Sequence, residues 1–290
     1  MLRPDPLIIT DMSEADYHAS TGLGEGKWIT RSMLACMAES PRGFRLRYVN
    51  RHHWAQQGDT DCMDLGSLYE SFLCYGRLPD GVHVRPATYK NDKDETKPWN
   101  ANANVCKAWL AEHPNNVGSS LVNEAIRLAE LTKEHAMCQA IITAGTHDEQ
   151  TVIRWVDEET GLRLQVRLDL DIPGRLLGDI KTGAKDTVKD PAAFSDSARR
   201  FAYDVQAALY SDAWKIATGE ELNFLFVYQQ TAFPFSTSCL QLNPKQIAHG
   251  RKLYRQALKA IAAEQWELEQ QDATTVSEIK PWVFYEMESG

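Results

Sequence analysis

The sequence predicts an α/β or α+β sandwich in which helices flank a mixed β-sheet. Helical periodicity dominates the first 145 residues. The period then switches to strand alternation in TVIRWV (151–156) and LRLQVRLD (162–169). A helical pattern over 191–217 separates the strand LLGDIK (176–181) from NFLFVYQQ (223–230) and FSTSCLQL (235–242). A helix between strands reads as a crossover, so the order is helices, a strand meander, a crossover helix, two strands and a closing helix.

Taken in order, MLRPDPLIITDMSEADYH opens on a four-residue apolar patch followed quickly by acids. That fits neither a signal peptide nor a membrane span, so the expectation is a cytoplasmic protein. Residues 30–52 read as two helices broken at Ser40-Pro41, the first capped by Thr30 or Ser32. Within PRGFRLRYVNRHHWAQQG (41–58), Arg42, Arg45, Arg47, Arg51, His52 and His53 stand without an acid. This is a solvated helix face or a local nucleic-acid contact, and Phe44, Tyr48 and Trp54 fit packing or base stacking. MDLGSLYESFLCY (63–75) reads as a helix from Leu65, Leu68, Phe72 and Leu73. Residues 79–103 are polar and aperiodic, so a mobile loop is expected, with Lys90, Lys93, Lys97 and Trp99 making it a candidate lid or DNA-contacting arch. Helical patterns return at 103–113 and 119–144.

The first strand pair is joined by DEETG, a hairpin signal ending in Gly161. In the second strand Leu162, Leu164, Val166 and Leu168 share one face, and Arg163, Gln165, Arg167 and Asp169 the other. Ile172-Pro173-Gly174-Arg175 suits a type II turn. Asn243-Pro244 is a cap and first-turn pair for a closing helix over about 243–271, and the apolar tail PWVFYE within 272–290 is expected to dock.

Composition narrows the function. A net charge of −9, from 31 basic and 40 acidic side chains, excludes indiscriminate coating of nucleic acid but leaves room for a basic groove. Six cysteines without a C-x-x-C pair support neither a disulfide framework nor a Cys-based metal site, and read as reduced packing residues. His147 reads as a loop histidine with no H-x-x-x-H spacing to support a zinc site, Asp171 reads as a turn residue, and no P-loop, G-x-S-x-G or Rossmann glycine pattern is present.

What remains is a charged constellation. Asp179 and Lys181 are two apart on a buried-looking strand and face the same way, and Asp169 closes the strand before. A bare D-x-K at a strand end is commonly a surface ion pair. Two carboxylates and an ammonium converging at buried strand ends instead suit a hard divalent cation beside a water. On the following helix Gln206 and Tyr210 lie four apart and share a face, with Tyr203 one turn earlier. Tyr203 reads as core, whereas the Gln206 amide on that face needs a polar partner.

Over about residues 28–245 these features occur as ordered motifs: ITRSMLACMAESPRGF, LGSLYESFL, EQTVIRW with VRLD, then GDIKT, and YDVQAALYSDAW. In that order the chain resembles the PD-(D/E)xK nuclease superfamily, and within its RecB-like group the RecE-like (exodeoxyribonuclease VIII-type) phage exonucleases. The resemblance implies an α/β, restriction-endonuclease-like core with a mixed central sheet, in one nuclease domain over 1–290. That domain divides into a mainly helical part to 145, a catalytic part over 146–271 and the docking tail. It implies Asp169, Asp179 and the Ile180 carbonyl as metal ligands and Lys181 as the catalytic lysine. Glu70 stands where many RecE-like members have His and other relatives have Glu. Gln206 is implied to orient the site or a phosphate, and Glu149 to support it from behind. Tyr210, Tyr203, Arg199, Arg200, Arg42, Arg45 and Ser32 are the candidate DNA contacts.

The implied activity is Mg2+-dependent hydrolysis of one strand of linear double-stranded DNA, 5′ to 3′, with one or two ions per site and Mn2+ able to substitute. The single-stranded tails would serve recombination through an annealing partner. A homo-oligomeric ring, a bacterial host and a phage or prophage origin are implied with it. The alternatives are a structure-specific endonuclease on the same fold and an inactive DNA-binding protein.

Overall fold

The structure is a computed structural model that describes residues 5–55, 61–146, 150–190 and 192–266. The chain runs through β1 (Leu7–Ile9), α1 (Glu14–Ala19), α2 (Arg31–Glu39), α3 (Pro41–Phe44) and α4 (Asp61–Cys74). Then come β2 (His83–Arg85), β3 (Thr88–Lys90), β4 (Thr96–Pro98), α5 (Asn104–Glu112), β5 (Asn116–Gly118), α6 (Ser119–Glu134) and α7 (Ala136–Gly145). The second half holds β6 (Val152–Val156), β7 (Arg163–Arg167), β8 (Leu170–Ile172), β9 (Leu176–Gly183), α8 (Ala192–Arg200) and α9 (Tyr203–Thr218). It closes with β10 (Asn223–Gln230), β11 (Thr237–Leu240) and α10 (Pro244–Ala262).

This is a mixed α/β architecture. The central sheet has the order β11-β10-β9-β8, with β9 and β10 parallel and the outer pairs antiparallel. Alternation along β9 sends Leu177, Asp179 and Lys181 to one face and Gly178, Ile180 and Thr182 to the other. Leu177 joins Phe224, Phe226 and Tyr228 of β10 in a core shared with α9, α2 and α10. Ile180, Val227 and Leu170 join a second core with Leu68 and Leu73 of α4, Leu128 of α6 and Ile141 and Ile142 of α7. Both faces are therefore covered, as a sheet with a parallel pair requires. No helix among the described residues is long and apolar enough to cross a membrane.

Several sequence expectations are corrected. The meander does not stay in one sheet: β1, β6 and β7 form a separate antiparallel sheet, and the chain passes from it into β8 after Arg167. The helix read at 119–144 is two, because His135 takes an extended conformation and its Nδ1 caps α7 by accepting from Cys138 N at 3.4 Å. The pattern over 191–217 likewise splits at Ala202, which is left-handed at φ 52°. Residues 79–103, read as an aperiodic loop, contain β2, β3 and β4. The β3–β4 hairpin is tied by Asn91, whose side chain accepts from the backbone N–H of Lys93 and of Glu95 at 3.0 Å each. Strands of three residues are too short to show a period. The tail 272–290, Glu149 and His147 lie outside the described residues.

Other local chemistry behaves as the residues dictate. Gly174 takes φ 69° in the turn between β8 and β9, and Arg175 N donates to Ile172 O at 3.0 Å. Asn243 caps α10 reciprocally with Gln246. The helix α10 crosses α9 so closely that a β-carbon on Gly250 would lie 2.1 Å from the Asp204 carbonyl oxygen. Backbone cannot retreat from such a contact as a flexible side chain can. Gly250→Ala is therefore expected to lower stability by about 1–3 kcal/mol or more, read as an earlier midpoint in equilibrium denaturation.

Candidate active site

The site begins where the chain changes sheets. Leu168 N still donates to Thr151 O at 2.9 Å, whereas Leu170 already pairs with Gly178 of β9. One row further, Asp169 would oppose Asp179 in the ladder. The ladder stops there instead, and the Ile180 N–H donates to Asp169 Oδ2 at 3.0 Å. A side-chain carboxylate takes the place of a strand carbonyl, so the two aspartates are neighbours where the chain passes from one sheet to the other.

Lys181 of the same strand as Asp179 and two further helices close on this pair. Lys181 of β9 forms an ion pair through Nζ with Asp179 Oδ2, and its ammonium lies 5.2 Å from the centroid of the Tyr203 ring. From α9, Gln206 Nε2 donates to Asp179 Oδ1. Glu70 of α4 is reached by Gln150 Nε2, which donates to Glu70 Oε1 at 2.6 Å and lies 3.3 Å from Asp169 Oδ1. Asp179 is almost wholly buried, and its Oδ2 has no hydrogen-bond partner beyond the Lys181 ion pair.

Burial of like charges dominates the electrostatics. Glu70 is pushed up to about 7, first by burial and then by the charge of Asp179. Asp169 is raised well above the carboxylate range by burial, by Asp179 and Glu70, and by a hydrogen bond with Asp179 that favours its protonated form. Burial opposes the Lys181 ammonium, but Asp179 and Asp169 outweigh it and hold the lysine above its ordinary value. Three carboxylates against one ammonium leave an excess of negative charge that a hard cation would offset. Among the described residues no three His, Cys, Asp or Glu side chains are arranged around one point as ligands. Here the Lys181 ammonium neutralises Asp179. The all-oxygen donor set, with a buried Asp179 Oδ2 held by nothing but the Lys181 ion pair, nevertheless fits a divalent ion.

The structure thus brings together Glu70, Asp169, Asp179, Lys181 and Gln206, with Tyr203 at their edge. Tyr210 is not among them: it is buried against Phe224, with ring centroids 6.1 Å apart, and has no surface to offer DNA. Arg199 and Arg200 are exposed at the end of α8, Arg42 and Ser32 are exposed at the starts of α3 and α2, and Arg45 is half-buried. Sequence reasoning missed Gln150, beside the Glu149 it singled out, and Arg31, beside the Ser32 it singled out. Arg31 Nη2 lies 3.3 Å from Gln206 Oε1. Neither residue belongs to a periodic pattern that marks it, and only tertiary contact does.

A family profile described as a PDDEXK-like domain of unknown function (DUF3799) matches residues 48–273, well over half of the chain. The chain belongs to this family. The residue types in the family's description, acids with a lysine two places after the last, are those gathered between β8, β9 and α4. Nucleases with this signature generally use divalent metals, and the donor set accords with that. Of solved structures, the "Putative exonuclease" from Eubacterium rectale superposes with a TM-score of 0.59 at 13% identity, over 97% of this chain and 99% of that chain. At that identity the likeness is one of fold. Candida albicans Rai1 in complex with pU5-Mn2+ aligns at a TM-score of only 0.27 and 9% identity, over 92% of this chain and 78% of that chain, and carries no argument. No curated protein matches the chain.

The raised carboxylates make stability pH-dependent. A carboxyl with a folded-state value near 7 and an ordinary value of 4.5 binds its proton more tightly in the native state, so stability falls as pH rises through that window. In EDTA, thermal unfolding at pH 5 is expected to show a native state on the order of 2 kcal/mol more stable, through this group, than at pH 7.5. Glu70→Gln should weaken the dependence and leave the part due to Asp169, and Mg2+ or Mn2+ at pH 7.5 should raise the melting temperature of the wild type. An unchanged melting temperature with either ion would argue against the cluster as a cation site.

Proposed function

We propose that the chain is a metal-dependent exodeoxyribonuclease of the RecE-like kind, hydrolysing one strand of linear double-stranded DNA from 5′ to 3′. The observation that carries this reading is the meeting of Asp169, Asp179, Lys181 and Gln206 at the seam between two sheets, with Glu70 completing the cluster. The family membership and the fold of the Eubacterium rectale protein support it.

Asp169, Asp179, the Ile180 carbonyl and Glu70 would hold the ion, Mg2+ with Mn2+ able to substitute. When bound, one or two such ions supply Lewis-acid polarisation of a phosphodiester and a water of lowered pKa. The chain's own groups do the positioning. Gln206 donates to one oxygen of Asp179 and keeps that carboxylate turned into the site. Lys181, held protonated by its two aspartate neighbours, serves as a donor from Nζ rather than as a base. It orients the attacking water and stabilises the charge that grows on the phosphate. Tyr203 shields the ammonium from one side. Exposed Arg42, Arg199 and Arg200 provide local cations for the DNA backbone in a chain of net charge −9. A homo-oligomeric ring around the duplex, with a single-strand annealing protein receiving the tail, completes the proposal.

The test uses linear and covalently closed duplex DNA of one sequence, each with Mg2+ and with EDTA. Loss of the linear form alone, only with Mg2+, is the expected result. Lys181→Ala should slow it by roughly 10²–10³-fold, and Asp179→Asn should abolish it. Cutting of the closed circle would replace the exonuclease with a structure-specific endonuclease. Binding of DNA without digestion of either form would make the protein a binding module.

A further inference from the structure

We infer that Arg31 is a positioning residue for this site: it fixes the end-for-end orientation of the Gln206 amide, so that the NH2 group and not the carbonyl faces Asp179. A glutamine amide can turn over with almost no change of shape, and its neighbours decide which end points where. Turned the wrong way, Oε1 would oppose the Asp179 carboxylate, acceptor against acceptor, in a buried site. Arginine carries only donors. Its Nη2, 3.3 Å from Gln206 Oε1, therefore selects the productive orientation and leaves Nε2 to bond Asp179 Oδ1.

The same nitrogen holds the corner from which Gln206 projects. Nη2 lies 2.5 Å from the Phe201 carbonyl oxygen, with the Ala202 carbonyl oxygen at 3.5 Å. Ala202 is the cap of α9 and stands in the left-handed region at φ 52° and ψ 45°, where a residue with a β-carbon is strained. Its carbonyl also accepts the Gln206 N–H at 3.1 Å, the first bond of the α9 turn that carries the side chain. One guanidinium from the start of α2 thus grips the strained corner and the amide beyond it. Arg31 Nε is buried without a hydrogen-bond partner, so the polar grip on this corner comes through Nη2.

The kinetic consequence rests on the nuclease reading, whereas the orientation does not, and the test separates them. Digestion of linear duplex DNA would be followed for the wild type, Arg31→Lys, Arg31→Ala, Gln206→Ala and the Arg31→Ala/Gln206→Ala pair. In parallel, the Gln206 side-chain amide resonance, assigned by its loss in Gln206→Glu, would be recorded in the wild type and both Arg31 variants. Arg31→Ala is expected to lower kcat by roughly 10²-fold through misplacement of the amide, with KM for DNA changed by less than about threefold. The double variant should be no slower than the slower single variant, because both act through one contact. Arg31→Lys, which keeps the charge and a donor, should recover part of the loss and provides the comparison if the alanine variant folds poorly. The Gln206 amide resonance should move in both Arg31 variants. Multiplying losses, an unmoved resonance, or a raised KM with kcat intact would overturn the assignment, the last by making Arg31 a direct phosphate contact. A wild type that digests no DNA would sink the nuclease reading, while the resonance would still decide the orientation.

Discussion

The hydrogen bond from the Ile180 amide to the Asp169 carboxylate organises this molecule. In an uninterrupted ladder that N–H would go to a strand carbonyl, and β7, β8 and β9 would form one continuous meander. With a side chain in the carbonyl's place, pairing ends after one short strand and the chain leaves for a second sheet. Two aspartates are left side by side where the chain changes sheets. The fold and the cluster are thus one event: the residue that ends the ladder is also one of the three clustered carboxylates.

The surrounding polar groups follow from that crowding of charge. Gln150 serves Glu70 and Asp169, and Gln206 serves Asp179. Amides can satisfy buried carboxylate oxygens without neutralising them, which an arginine in either place could not do. The excess negative charge is therefore kept, and it shows in the raised affinity of Glu70 and Asp169 for protons. A group that holds a proton this way has a strong electrostatic reason to exchange it for a cation.

Much of the scaffold could be read from period and turn chemistry. Two-residue alternation places Asp179 and Lys181 on one face, Pro173-Gly174 marks the turn, and Asn243-Pro244 marks the start of α10. The breaks were harder to see. Ala202 has nothing in its residue type to stop a helix; it is the grip of Arg31 and the packing of α8 and α9 that hold it left-handed. The passage of the chain between sheets depends on a side chain substituting for a backbone group, which no hydrophobic pattern records. In the site, residues on periodic elements came forward, whereas Gln150 in a connecting segment and Arg31 at a helix start did not. Tyr210 erred the other way: its spacing from Gln206 puts it on the same helix side, but one turn further along that side faces the core.

The double duty of Asp169 bears on how a chain of this kind drifts once selection for activity is relaxed. Lys181 and Gln206 contribute side chains to the cluster without replacing any backbone partner, so their loss leaves the sheets intact. Asp169 cannot be lost so freely, because a residue without an acceptor there strands the Ile180 amide in the interior. Descendants that have become silent should therefore shed the lysine or the glutamine first and keep the aspartate. A preserved acid at this seam would then be a relic of architecture and a poor witness to surviving catalysis.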